Sequence, residues 1–288
     1  MSICDVFRAA LVAIGLVCVA SIRVLAADDV DDVPFADASA AEPLARAFSS
    51  QSAAIYLDKT ARDWVETWRC AACHTVPPYL MARPFLPARG QSAVEVRAFV
   101  ERVVVEKLEA EPKLPVDAIS ALTVQVATAL AINDRLTTGK LHPVTRLALD
   151  RMWTRQREDG SWEWPFRDVP PIKFDEHYGV TLAALGAGMA PDGYAQTDTA
   201  RAGLAGIRRY LKAHPAVSLH QHAMLALASV HITELLHVDE RSAVIDKLLA
   251  AQRPDGGWSL ASLVENYYRC RTATQTLKYN LSSLIFFR

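Results

Sequence analysis

From about residue 54 onward, apolar side chains recur every three or four positions rather than every second one, the spacing that lines one face of a helix. Val96, Phe99, Val100, Val103, Val104 and Leu108 form one such stripe in a charged stretch and predict a helix over about 92–109. Ile119, Leu122, Val126, Ala129 and Leu130 form a second, opened by Asp117 as its cap. Pro143 marks a helix start, and Leu147, Met152 and Trp153 carry that helix to Gln156. Further helices are predicted over about 177–188, 198–213, 218–236 and 240–252. Pro191-Asp192-Gly193, His214-Pro215 and Pro254-Asp255-Gly256 punctuate them. No segment alternates with a period of two, so the class is all-α, built from helical hairpins.

The N-terminal part has a different pattern. Arg8 precedes an apolar stretch from Ala9 to Ala20, followed by Val24-Leu25-Ala26 with small residues where a signal peptidase cuts. Arg23 interrupts the apolar run, which is short for a bilayer, so an export signal cleaved after Ala26 is expected rather than an anchor. Residues 27–53 begin with an acidic group and continue Ala- and Ser-rich, without sustained periodicity, and read as a disordered linker.

Two predicted helix ends share one signature. Gln156 is followed by Gly160 and Trp162, and Gln252 by Gly256 and Trp258, with the same spacing. The glutamine amide can bond groups left over at helix ends, glycine permits a left-handed turn, and tryptophan covers the end with a large apolar face. The helix ending Tyr210-Leu211-Lys212-Ala213-His214 falls between them without its own Gln or Trp. This suggests a two-helix repeat of about 40 to 50 residues with a degenerate middle copy. The signature resembles the QW repeat of the squalene–hopene cyclase, oxidosqualene cyclase and protein prenyltransferase superfamily. The resemblance implies an α/α toroid, here partial, in which Gln156, Gly160, Trp162, Gln252, Gly256 and Trp258 are structural.

The chemistry of the chain is concentrated in Cys70-Ala71-Ala72-Cys73-His74. Cysteines at i and i+3 lie on one side of a helical turn with the histidine beside them. Both thiols can then add to one haem while the imidazole of His74 binds its iron. Export agrees with this, because covalent haem attachment in bacteria takes place outside the cytoplasmic membrane. Of five cysteines, Cys4 and Cys18 leave with the signal, and Cys70, Cys73 and Cys270 cannot pair off completely. The alternative is a zinc site made by these three and a histidine. No second CxxC exists, and Cys73 and His74 are neighbours that would strain one tetrahedral site.

With the preceding Trp68-Arg69, the following Pro78-Tyr79-Leu80 and Ala82-Arg83-Pro84, and Glu176-His177-Tyr178-Gly179 and Leu219-His220 further on, the chain resembles secreted planctomycete-type bacterial proteins. Those carry a CxxCH motif ahead of squalene-cyclase-like repeats. The resemblance implies a CxxCH-bearing helical segment at 54–112 and a repeat domain at 113–263. Residues 264–288 depart from it, turning polar and ending in Ile285-Phe286-Phe287, and read as a shortened or frame-shifted tail that would leave the toroid open. The second iron ligand is sought among Met81, His177, His220 and His222. Met81 follows His74 closely and needs a tight return, whereas the histidines fall on predicted helices. His177 is the leading candidate.

Composition removes other classes. At 51% hydrophobic and 22% charged the chain can bury a core. Lys+Arg 31 against Asp+Glu 32 leaves no basic excess for nucleic acid, and beyond the signal no unbroken apolar run reaches the roughly 18 residues of a spanning helix. The leading expectation is a secreted or periplasmic protein with covalent haem c, acting in electron transfer or redox sensing, whose partner is a redox protein or an apolar small molecule. No catalytic residue is assigned. The rivals are a terpenoid-cyclase-like isomerase or lyase and a non-catalytic toroid that binds lipid or protein. Asp29-Val30-Asp31-Asp32 spells the DxDD pattern of squalene–hopene cyclases. It falls in the linker, where no apolar cavity can tune an acid to protonate an alkene.

Overall fold

The computed structural model describes residues 47, 49–71, 75–87, 90–108, 114–165, 175–254, 256–258 and 263. The export signal, the Asp29–Asp32 motif and the tail at 264–288 lie outside them, as do Cys73, His74 and Cys270. Among the described residues every regular element is helical. We number the α-helices α1 (Ser50–Trp68), α2 (Val76–Ala82), α3 (Gln91–Arg102), α4 (Val116–Thr137), α5 (Pro143–Thr154), α6 (Glu176–Met189), α7 (Asp198–Ala213), α8 (Leu219–Ser229) and α9 (Val238–Ala250).

Helix α1 starts at Ser50, inside the stretch expected to be linker up to residue 53. The helix expected over 92–109 is α3 followed by a π-helical turn at Val103–Lys107. Three consecutive β-branched valines at 103–105 crowd the helix surface there. The helix expected to reach 236 stops at Ser229, and a 3₁₀ turn at Thr233–Leu235 follows.

Two kinds of helix alternate along the chain. In α4 every residue from Ile119 to Asp134 is buried, and α6 is buried from Gly179 to Ala187. In contrast, α7 buries one stripe, Ala200, Gly203, Leu204, Gly206, Ile207 and Tyr210. A helix that is apolar all round must sit inside, and a one-sided helix must cover it. Accordingly α4, α6 and α8 pack in succession, with α5 on α4, α7 on α6 and α9 on α8. The interior is close-packed: Gly186 lets α6 approach Thr128 of α4, whose Oγ1 donates to the Leu182 carbonyl at 3.0 Å. By length and composition α4 could also cross a membrane, but 83% of its apolar window is buried within the protein. The described residues from Ser50 onward form one compact unit, and α2 packs on α4 across the boundary expected at 112/113.

The turns after α5 and α9 close in the same way. Gln156 Nε2 donates to the Gly160 carbonyl at 3.0 Å and Trp162 Nε1 to the Met152 carbonyl at 2.9 Å. Gln252 Nε2 donates to the Gly256 carbonyl at 2.6 Å and Trp258 Nε1 to the Leu248 carbonyl at 2.7 Å. Gly160 and Gly256 take φ of 95° and 84°, a conformation that a side chain disfavours. The surroundings differ. Helix α7 lies on the first turn, where Gly203 accepts a second bond from Gln156 at 3.0 Å and Gly206 abuts Gly160. Trp162 is 1% exposed, whereas Trp258 is 43% exposed. The two tryptophans, alike in the sequence, are therefore unequal in burial.

Candidate functional site

Helix α1 ends at Trp68, and Arg69 leaves it with a positive φ of 47°. Cys70 follows as a half-buried free thiol. The chain re-enters a helix at Val76, with Pro77 in the first turn, where no N–H is required. Cys73 and His74 belong to the connection between these helices. Asp58 of α1 ties α1 to α2 and to the turn that follows α2. Its carboxylate accepts from the Tyr79 hydroxyl at 2.6 Å and from Arg83 Nε and Nη2 at 2.7 and 3.0 Å. The Arg83 side chain is only 3% exposed, and breaking one partner of such a buried pair costs about 3 to 5 kcal/mol. Burial, with the Asp58 carboxylate adding to it, pushes the Tyr79 phenol well above its ordinary pKa, so it remains a donor. Arg97 of α3 then bonds Asn133 and Asp134 of α4, each at 2.7 Å, and Asn133 donates to the Leu80 carbonyl of α2 at 2.8 Å. Helices α2 and α3 are thereby fixed to α4.

A cavity of about 410 Å³ lies beside this hairpin, with Arg69 in its wall. Val65, Phe99 and Val103 give it apolar sides, and Arg69, Arg102 and Lys107 supply positive charge, with Glu66 and Glu106 among them. The π-helical turn forms part of the wall, a distortion frequent at functional sites. Met81 is partly buried against the hydrophobic core.

His177 lines a different cleft, of about 600 Å³, and the two cavities share no lining residue. The residue sits in the first turn of α6, whose N-cap is Asp175. The Asp175 side chain accepts from the Tyr178 backbone N–H at 2.9 Å and from Gln221 Nε2 at 3.0 Å, and His220 Nδ1 stands 3.8 Å away. Burial works to raise the Asp175 pKa. The nearby His220, with the bonds from Gln221 and the Tyr178 N–H, outweighs it and holds the carboxyl below its usual range. His177 is 5% exposed, and neither ring nitrogen has a hydrogen-bond partner. Burial, joined by the fields of His222 and His220, lowers its pKa against the pull of Asp175, so the ring is neutral near pH 7. His222 instead bonds the Ser218 carbonyl through Nδ1 at 2.8 Å.

Spacing alone did not point to Asp58 or to the surroundings of His177. Asp58 meets Arg83 across two helices, and Trp164, Tyr210 and Gln221 reach the cleft from separate segments. The available signal was Asp175, an N-cap residue one turn ahead of the apolar run that begins at Val180. Among the described residues no group of three or more His, Cys, Asp or Glu side chains converges to hold a metal ion.

Comparisons with protein-family models, with curated proteins and with solved structures each return no match.

Proposed function

We propose that the chain is an exported c-type haem protein, in which Cys70 and Cys73 hold the haem covalently, His74 binds its iron, and a partial α/α toroid of helical hairpins carries the group. The observation that supports this most is the setting of the motif. The helices that flank it in the sequence are clamped together by Asp58, Tyr79 and Arg83, and Arg69, just before Cys70, lines a cavity with apolar walls and three basic side chains. Such walls suit a macrocycle, and Arg69, Arg102 and Lys107 suit its two carboxylates. When bound, the group supplies one-electron iron chemistry, which fits electron transfer or redox sensing. The residues of the chain fix the attachment point, exclude water from one face and set the local charge. His177 is assigned no axial role in this reading, because it serves another cleft.

Expression with cytochrome c maturation genes, followed by acid–acetone extraction, tests the proposal. The Soret absorbance is expected to stay with the polypeptide and to vanish when Cys70 and Cys73 are both replaced by alanine. Folded wild-type protein that carries one equivalent of zinc and no covalent haem would refute it.

A further inference from the structure

We infer that a cleft between α7 and α9 binds a long-chain carboxylate, an amphiphile with an aliphatic body and one anionic head. The inference is independent of the haem reading and starts from how the outer helices meet. Between α5 and α7 glycines close the gap: Gly203 lies against the Trp153 ring and Gly206 against the Gln156 amide. The opposite side of α7 carries long side chains instead. Arg208 and Lys212 stand one turn apart on α7, Lys247 stands on α9, and a cavity of about 650 Å³ lies between them, larger than the two described above. Its size is that of a small-molecule site.

The walls specify the class. Leu225 of α8 and Val244 of α9, both buried, form the floor. Leu211, Leu235 and Leu236 line the sides and are only half-buried, so part of each remains open. Branched aliphatic surfaces of this kind suit a methylene chain, which leaves water as it enters. The rim is charged. Arg208, Lys212 and Lys247 outnumber Glu234 and Glu240 among the described lining residues. Glu240 is already engaged at the start of α9, where its carboxylate accepts from the His237 N–H at 2.9 Å. Lys212 and Lys247 are exposed and Arg208 is half-buried, so their long stems can lie along the apolar walls while the cationic ends reach a head group at the mouth. The cations come from both walls, and one anion between them is matched from two sides. A neutral chain would cover the leucines and leave the cations unmatched. A small free anion would meet the cations and leave the leucines wet. A dianionic head would be repelled more strongly by Glu234 and Glu240 than a singly charged one. A carboxylate carries one charge and accepts the two parallel N–H bonds that the Arg208 guanidinium offers.

The test uses the full mature chain, produced with the haem-maturation genes, and titration calorimetry with laurate below its micelle concentration, with 1-dodecanol and with acetate. Saturable binding of laurate is expected, with the alcohol and acetate each at least about tenfold weaker. The double variant Arg208→Gln, Lys212→Gln removes charge from the rim, and Ala243→Trp fills the cleft from an exposed position of α9. Each should weaken laurate at least about tenfold. In wild-type protein bound laurate should slow reductive methylation of Lys212 and Lys247, read by mass spectrometry, a measurement that needs no variant to fold. Absence of saturable laurate binding, equal affinity for 1-dodecanol or for acetate, or laurate binding that leaves both lysines as reactive as before would each overturn the inference.

Discussion

Replacing Trp162 and Trp258 separately by alanine measures whether the two similar turns carry similar weight. Trp162 is 1% exposed, lies 5.9 Å from the Trp153 ring and donates to the Met152 carbonyl. A buried tryptophan covers about 200 Å², which at about 25 cal/mol per Å² corresponds to roughly 5 kcal/mol. The measured range for such truncations, about 3 to 5 kcal/mol, already includes the cavity left behind. Trp258 is 43% exposed, so roughly half the area is at stake and water can fill the gap. About 2 kcal/mol is the expectation there. For a unit of this size about 1 kcal/mol moves the melting temperature by roughly 2 to 4 °C. At the middle of its range, about 4 kcal/mol, Trp162→Ala should therefore melt about 8 to 16 °C below the parent, and Trp258→Ala about 4 to 8 °C below it. Scanning calorimetry of the three proteins in one buffer decides. Equal losses, or a larger loss at Trp258, would refute the claim that cover by α7 sets the difference.

The same asymmetry should appear in the backbone. Gly160→Ala and Gly256→Ala share the strain of a positive φ, about 1 kcal/mol. Only the first drives a Cβ into the Gly206 carbonyl, for about 1 to 3 kcal/mol more in a chemical melt. His177→Phe should raise the melting temperature by a few degrees, because it deletes an unpaired buried group worth about 1 to 3 kcal/mol. It should also flatten the acid side of the stability curve. The folded pKa of His177 lies below its unfolded value, with Asp175, His220 and His222 facing it. Stability therefore falls as pH drops below about 6.5, where the unfolded ring takes up a proton first. A parent and variant that lose stability in parallel between pH 7 and 5 would exclude this account.

The helices most legible in the sequence are those whose pattern is unmixed. Ile119 to Leu130 reads as a helix because its apolar positions recur without a break, and α7 because one face is apolar and the other carries Arg201, Arg208 and Lys212. The start of α1 was illegible because Ser50-Gln51-Ser52-Ala53 has the composition of a linker, and its helical state depends on the turns that follow. The stretch after Ser229 misled for the opposite reason. Val230, Ile232 and Leu235 continue a helical spacing, yet Ile232 turns inward to pack against Gly188 of α6 and breaks the helix. Tertiary contact overrode local pattern there. The Cys70–His74 motif was legible because its spacing is local. The Asp58–Arg83 clamp was not, because nothing periodic relates a residue in α1 to one after α2.

The positions of the cavities at Arg69 and at His177 follow from the packing between them. Helices α4 and α6 meet through small and apolar residues, with Thr128, Gly186 and Ala183 at or near complete burial, so their middle leaves no room for a polar ligand. Helix ends differ, since they bring unpaired backbone groups, caps and charged residues together. One cavity lies at the C-terminal ends of α1 and α3, the other where α6 and α8 begin and α7 stops. The array thus holds each set of side chains on rigid helices and leaves the openings at their ends. Within that arrangement most buried polar groups are paired, as Asp58, Arg83, Asn133 and Asp175 show. His177 departs from the rule in the second cleft.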